Sequence, residues 1–201
     1  MTTPPEPAPR RTSGGPVLRD DVTEAIRVAF FEEMAAVGYG RLSLDAVAKR
    51  AGAGKAAIYR RWPGGRDAMT VALLQDFATE AIHVPDTGTL RGDVRQFLVN
   101  ACATLEDPLT RNMLPDLMAE AGRNPALADA VVGAFAMPRR DKAEQVLRRA
   151  MERGHLPADT DLDVALELMT GPVYWHTVVI RSSTDDAYFD QLTNTILKAL
   201  K

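Results

Sequence analysis

"SLDAVAKRAGAGKAAIYRRW", residues 43–62, decides the fold of this chain. Ser43 is a good helix N-cap type, and Leu44, Val47 and Ala48 fall on one side of the two turns that follow. Gly52 ends that helix, because glycine enters the left-handed backbone region that other residues resist. After a tight turn at Ala51-Gly52-Ala53, "GKAAIYRRW" forms a second short helix, stopped by Pro63-Gly64-Gly65. Two short helices joined through a glycine turn make the helix-turn-helix pattern. Ala48 and Ala51 are small where the helices cross steeply, and Val47 and Ile58 supply the apolar contact between them. The second helix then presents Lys55, Ala56, Ala57, Tyr59 and Arg60 outward. Small residues near its start let the backbone approach base edges in a major groove. The surrounding arginines and lysines neutralise phosphates and fix the docking register.

The charge distribution points the same way. The chain carries a formal net charge of −3, yet residues 1–66 hold 11 Lys/Arg against 7 Asp/Glu, whereas residues 67–201 hold 13 against 20. Within 39–66 the basic residues are Arg41, Lys49, Arg50, Lys55, Arg60, Arg61 and Arg66, and the one acid is Asp45. A basic module on an acidic body implies that one end meets a polyanion. The plainer alternative is a solvated basic face.

Helical periodicity dominates the rest of the chain. "VLRDDVTEAIRVAFFEEMAAVG" places Val22, Ile26, Ala29, Phe30 and Ala36 or Val37 at three-to-four spacing before Gly38. "RDAMTVALLQDFATEAIH" carries Met69, Leu73, Phe77 and Ala81 along one stripe of a helix over 66–83. Further helices are expected over about 89–106, 109–121, 125–153, 160–181 and 185–199. Pro138 makes 125–153 either two helices or one kinked helix. Thr160 and Asp163 stand as in a capping box, and Gly171-Pro172 interrupts the helix that follows. The fold class is all-α. The domain reading is a disordered Pro-rich leader over 1–17, a DNA-binding head over 18–64 and a ligand-binding, dimerising body over 65–201. No apolar run approaches the roughly 18–20 residues of a membrane span, and the N-terminus has no apolar signal segment. The single cysteine, Cys102, excludes an internal disulfide and reads as a small buried apolar residue. A cytoplasmic location is expected.

On Gly38-Tyr39, on Leu42-Ser43-Leu44-Asp45-Ala46-Val47-Ala48 and on "AGAGKAAIYRRW", the chain resembles the TetR/AcrR family of one-component transcriptional regulators. The likeness covers about residues 18–70 at motif level. It implies that Tyr59 contacts a phosphate, that Lys55 to Ala57 face bases, and that the last helices dimerise. Arg41, Ser43, Gly54, Arg60, Arg61 and Arg66 complete the expected DNA-binding set. The chain also departs from the pattern. Gly54 replaces the usual capping serine, Ala56 and Ala57 replace Gly-Thr, and Gly65 replaces a phosphate-contacting lysine for which Arg66 is the nearest substitute. Trp62 is expected to pack in the core, where a helix turns back onto the first.

Other constellations carry less. Glu80-x-x-His83 has metal-ligand spacing but no matching pair, and Asp159-x-Asp161-x-Asp163 lacks the Gly and Glu of a calcium loop. No metal, no cofactor and no catalytic triad is expected. The aromatic–His cluster Tyr174, Trp175 and His176, following a helix break, suits a small-molecule pocket, with Phe97, Met113, Leu117 and Met118 as opposing walls. Leu162, Leu166, Met169, Val173, Leu192, Ile196 and Leu197 give the last two helices broad apolar faces, which either pair with a second copy or close the chain's own core. The resulting expectation is a ligand-responsive homodimeric repressor that binds double-stranded operator DNA and is released by a small-molecule effector. The rivals are a small-molecule binding protein with a degenerate head and, more remotely, a helical enzyme.

Overall fold

In the computed structural model, which describes residues 20–79 and 83–200, the chain is helical and no strand occurs among the described residues. The leader, Phe77's side chain, Glu80 and Ala81 lie outside what is described. α1 (Asp20–Val37) buries Ile26, Ala29 and Phe30 of the expected stripe together with Phe31 and Met34, while Val22 and Val37 are half-buried and Ala36 is exposed. Gly38 ends it at φ +79°, and a 3-10 turn, Tyr39–Arg41, leads into α2 (Leu44–Arg50). α2 and α3 (Lys55–Arg61) meet across Gly52, whose φ of +61° is the left-handed value the turn requires. Val47 and Ile58 are wholly buried between them. Side chains of that size contribute roughly 1.5–3 kcal/mol each when fully buried.

α4 (Gly65–Thr79) connects this head to the body, with Met69, Leu73 and Leu74 buried. The body begins with a polar clasp. Asp86 pairs with Arg149 and Arg153 at 2.9 Å each, while the buried Asp93 accepts hydrogen bonds from the Thr87 backbone and hydroxyl. Side-chain caps then start the body helices. Thr89 caps α5 (Leu90–Glu106) and Asp107 caps α6 (Pro108–Ala121), while Asn124 caps α7 (Pro125–Val131). Pro108 and Pro125 stand in the first turns, where a missing N–H costs nothing. α5 packs against α6, α8, α9 and α10, and α6 reaches both α7 and α1.

Three local expectations are corrected, and one alternative that the sequence leaves open is decided. Residues 125–152 form one continuous helical run rather than two helices, because α7 passes through a π segment (Val132–Ala136) into α8 (Met137–Glu152). The Met137 N–H bonds to the Val132 carbonyl there, an i→i+5 link that widens the helix just before Pro138. Gly171-Pro172 does not interrupt its helix either. α9 (Leu162–Tyr174) runs through both residues and continues as a second π segment (Trp175–Ile180), ending at Arg181 in the left-handed conformation. The cap of α9 is Asp161, which accepts from Asp163 and Val164 N–H, while Thr160 bonds back to Pro157. Ser43 precedes α2 with extended torsions but makes no capping hydrogen bond. α10 (Asp186–Ala199), capped by Asp185, closes the chain against α5.

Candidate nucleic-acid interface and ligand cavity

α3 separates its side chains cleanly. Ile58 points inward and Ala57 packs partly against the core, while Lys55, Ala56, Tyr59 and Arg60 are exposed. Tyr59 retains 43% of its surface, and Arg60 has no partner among the described residues. Lys55 is tied to Asp45 at 2.8 Å, a bond that raises its pKa; both groups are solvated, so the pair is weak and exchangeable. Gly54 caps α3 at φ −75° and ψ 144°, torsions open to any residue, and a Cβ there would meet nothing within 4 Å. The serine usual at this position would therefore fit. Trp62 is half-buried against the core, as its position implied.

Arg61 and Arg66 are placed differently from the expected docking face. Arg61 Nε donates to Thr23 Oγ1 at 2.7 Å and Nη1 to the Ala57 carbonyl at 3.0 Å, so it binds α3 to α1. Arg66 lies 4.5 Å over the Tyr39 ring and donates to Asp67. Arg41 is exposed and donates to the Val37 carbonyl, and Ser43 is exposed beside it. Arg50 pairs with Glu33 and Glu32 of α1.

Tyr39 forms a junction that spacing along the chain did not disclose. Its ring is buried, and its hydroxyl donates to Asp67 Oδ1 at 2.8 Å. Burial and the adjacent carboxylate push the phenol up to about 12. The Tyr39 hydroxyl and Arg66 in turn hold the Asp67 carboxyl below the usual carboxylate range. The backbone N–H of Tyr39 donates to Asp116 on α6. Head, connector and body thus meet at one residue.

The body encloses a cavity of about 400 Å³. α5 contributes Phe97, Ala101 and Leu105, and α6 contributes Leu114 and Met118. The π segment and α8 add Val132, Phe135, Ala136, Arg139 and Arg140, and α9 adds residues from Leu166 to Tyr174. Of the expected lining, Phe97, Met118 and Tyr174 are present. Met113 and Leu117 are instead sealed in the core with no exposure. Trp175 is 60% exposed on the outer face of α9, and His176 stacks on Tyr188 at 4.1 Å while bonding to the Ser183 carbonyl. The reason is the uninterrupted helix, which turns residues 175 and 176 away from the wall that Tyr174 joins.

Two family models match this chain, "Bacterial regulatory proteins, tetR family" over residues 26–73 and "Tetracyclin repressor-like, C-terminal domain" over residues 84–196. The chain belongs to the TetR family. It is 32% identical over 170 residues to the DNA-binding transcriptional repressor TetR of Mycobacteroides abscessus, covering 81% of this chain and 85% of that one. It is 26% identical to the HTH-type transcriptional regulator YdeS of Bacillus subtilis, over 91% of this chain and 92% of that protein. The crystal structure of a TetR transcriptional regulator from Agrobacterium tumefaciens shares the fold, with a TM-score of 0.73 over 89% of this chain and 93% of that one at 16% identity.

This TetR-family regulator buries most of the apolar residues expected at its dimer face. Leu166, Met169, Val173 and Ile196 lie in its own core. The apolar surface left outward on α9 and its π extension is Val164, Trp175, Val179 and Ile180. Large apolar residues at 164, 175 and 179 mark that outward stripe, on a different helical face from Leu166, Met169 and Val173. No described helix of this TetR-family regulator is long and apolar enough to cross a membrane. No cluster of three or more candidate metal ligands occurs among its described residues.

Proposed function

We propose that this regulator is a homodimeric repressor whose α3 enters the major groove and whose effector, bound in the 400 Å³ cavity, releases it from DNA. Lys55, Ala56 and Ala57 face bases, Tyr59 and Arg60 contact phosphates, and Gly54 lets the start of α3 lie close to the backbone. Arg41 and Ser43 flank this surface. Arg61 and Arg66 hold the docking helix and the connector in place rather than meeting DNA. The second copy packs on the stripe of Val164, Trp175 and Val179. That packing sets the two heads at the ~34–36 Å spacing of successive major grooves.

The observation that carries this reading is the double role of α6. Leu114 and Met118 line the cavity, while Asp116, between them in sequence, holds the Tyr39 N–H of the head. A ligand that displaces α6 acts on the head without any long relay, and two ligands that favour different arrangements of one element must oppose each other. The 32% identity to a DNA-binding transcriptional repressor supports the sign of the regulation.

Selection of bound fragments from genomic DNA, followed by titration over a range of salt, tests the reading. Specific fragments bound with a steep negative dependence of log affinity on log salt are expected. Absence of any salt-dependent binding to DNA would leave a small-molecule binding protein with a degenerate head.

A further inference from the structure

One charged group in the wall of the cavity, Arg139, has no counterion among the described residues. Arg139 Nη1 donates to the Phe135 carbonyl at 2.6 Å, and its guanidinium carbon lies 5.6 Å from the Phe135 ring centre. An arginine carries five N–H donors. Among the described residues the remaining donors of Arg139 meet no acceptor and no carboxylate pairs with it. Its neighbours are accounted for. Arg140 is paired with Asp163, and Glu167 stands exposed at the rim with no bond to Arg139. Burial lowers the basicity of Arg139, since it disfavours the charged form. The rest of the wall is mostly apolar, with Phe97, Phe135 and Leu166 among its residues, and the hydroxyl of Thr170 is spent on the Leu166 carbonyl.

A guanidinium in apolar surroundings is costly until an anion joins it, and its planar fork matches a carboxylate with two parallel hydrogen bonds. It repels cations outright. A cavity of about 400 Å³ lies toward the small end of ligand sites, which run from roughly 300 to 1,000 Å³, and so takes a single compact apolar body. Resting on the reading of this cavity as the effector site, we infer that the effector is an amphipathic monoanion. Its medium-chain or aryl-alkyl body fills the Phe97–Phe135–Leu166 wall, and its carboxylate sits on Arg139.

The test uses the full chain and head-group series on fixed bodies: decanoic acid, 1-decanol and decylamine, and 6-phenylhexanoic acid with 6-phenylhexanol. Calorimetry is expected to show at least one acid binding tenfold or more tighter than its alcohol, with the amine weakest. Arg139→Met should cost that acid tenfold or more while leaving the alcohol unchanged or improved, and Arg139→Lys, which keeps the charge but not the fork, should fall between Arg139→Met and the unmodified protein. An alcohol equal to its acid, an amine that binds best, no binding by either acid, or an Arg139→Met protein that keeps the acid preference would each overturn the inference. The head-group ranking on the unmodified protein needs no variant, so it decides even if Arg139→Met misfolds. DNA binding measured in the same samples keeps the two readings apart. Acid binding that leaves DNA bound upholds the ligand class and refutes effector release.

Discussion

The Tyr39 backbone N–H and the Asp116 carboxylate, 77 positions apart, are joined by a hydrogen bond that links the head to the helix lining the cavity. Gly38 makes the approach possible. At φ +79° it has no side chain, and a Cβ in its place would stand 2.9 Å from Asp116 Oδ2. Asp116→Ala is expected to leave effector binding intact and to shrink the effector-induced loss of DNA affinity by at least about fivefold, the low end of ordinary coupling strengths. Asp116→Asn keeps an acceptor and should keep most of the coupling. Titrations of DNA with and without effector check this, and unchanged coupling in the alanine variant would remove α6 from the mechanism.

The same junction has a pH signature. The Tyr39 phenol is raised in the folded state to about 12, so its contribution is complete below the unfolded tyrosine value near 10. It is lost as pH rises toward 12. The difference in unfolding free energy between the unmodified protein and Tyr39→Phe should therefore decline over that window by on the order of 2 kcal/mol. At the acid end the sign reverses. Asp67 is lowered, chiefly by the Tyr39 hydroxyl, so its contribution is present above the ordinary carboxylate range and fades as pH falls through its folded value. Denaturant melts across both limbs measure each, and parallel curves for the two proteins would contradict the assignment.

Arg60 and Arg61 are adjacent in sequence, yet Arg60 is exposed while Arg61 turns to Thr23. Arg60→Ala should reduce the slope of log affinity against log salt by about 0.9 with no change in stability. Arg61→Ala removes the bond to Thr23 and should cost roughly 1–2 kcal/mol of stability while leaving the salt slope unchanged. Equal slopes for Arg60→Ala and the parent would displace α3 as the docking face.

Trp175 offers a test of assembly. Centred in the stripe of Val164 and Val179, it is the kind of large aromatic side chain that dominates interfaces. Trp175→Glu should weaken dimerisation by about thirtyfold or more, equivalent to 2 kcal/mol, as read by sedimentation at several concentrations. A variant dimer as tight as the parent would place the second copy elsewhere.

The head was legible in the sequence because its signals are local. The alternation that buries Val47 and Ile58, and the glycine that must sit at φ +61°, are written within a few positions of each other. Tyr39 was read only as part of a motif, because its partners Asp67 and Asp116 come from separate helices. The bond from Arg61 to Thr23 was not legible, because a basic run does not disclose which of its members turns toward another helix. The cavity was only half legible. Phe97, Met118 and Tyr174 line it, but Gly171-Pro172 looked like a break. Instead α9 runs on through Pro172 and widens into a π turn only from Trp175, a course that propensity does not encode.

The widened turn at Val132–Ala136 amounts to a single extra residue in an otherwise regular helix. In a regular helix one residue more or less rotates everything beyond it by about 100°, but a π turn absorbs its extra residue locally. Loss of a single codon, for instance that of Gly133, where an added Cβ would meet nothing within 4 Å, would let the helix close up as ordinary α-helix. Every side chain from Met137 onward would then keep its bearing relative to Leu127 and Val131. A deletion in the regular turns of α8 has no such slack, and one before Arg149 would throw the Asp86 pairs with Arg149 and Arg153 out of phase. This segment is therefore the place in the long helical run where one residue can come or go while the wall beyond it stays aimed as it is.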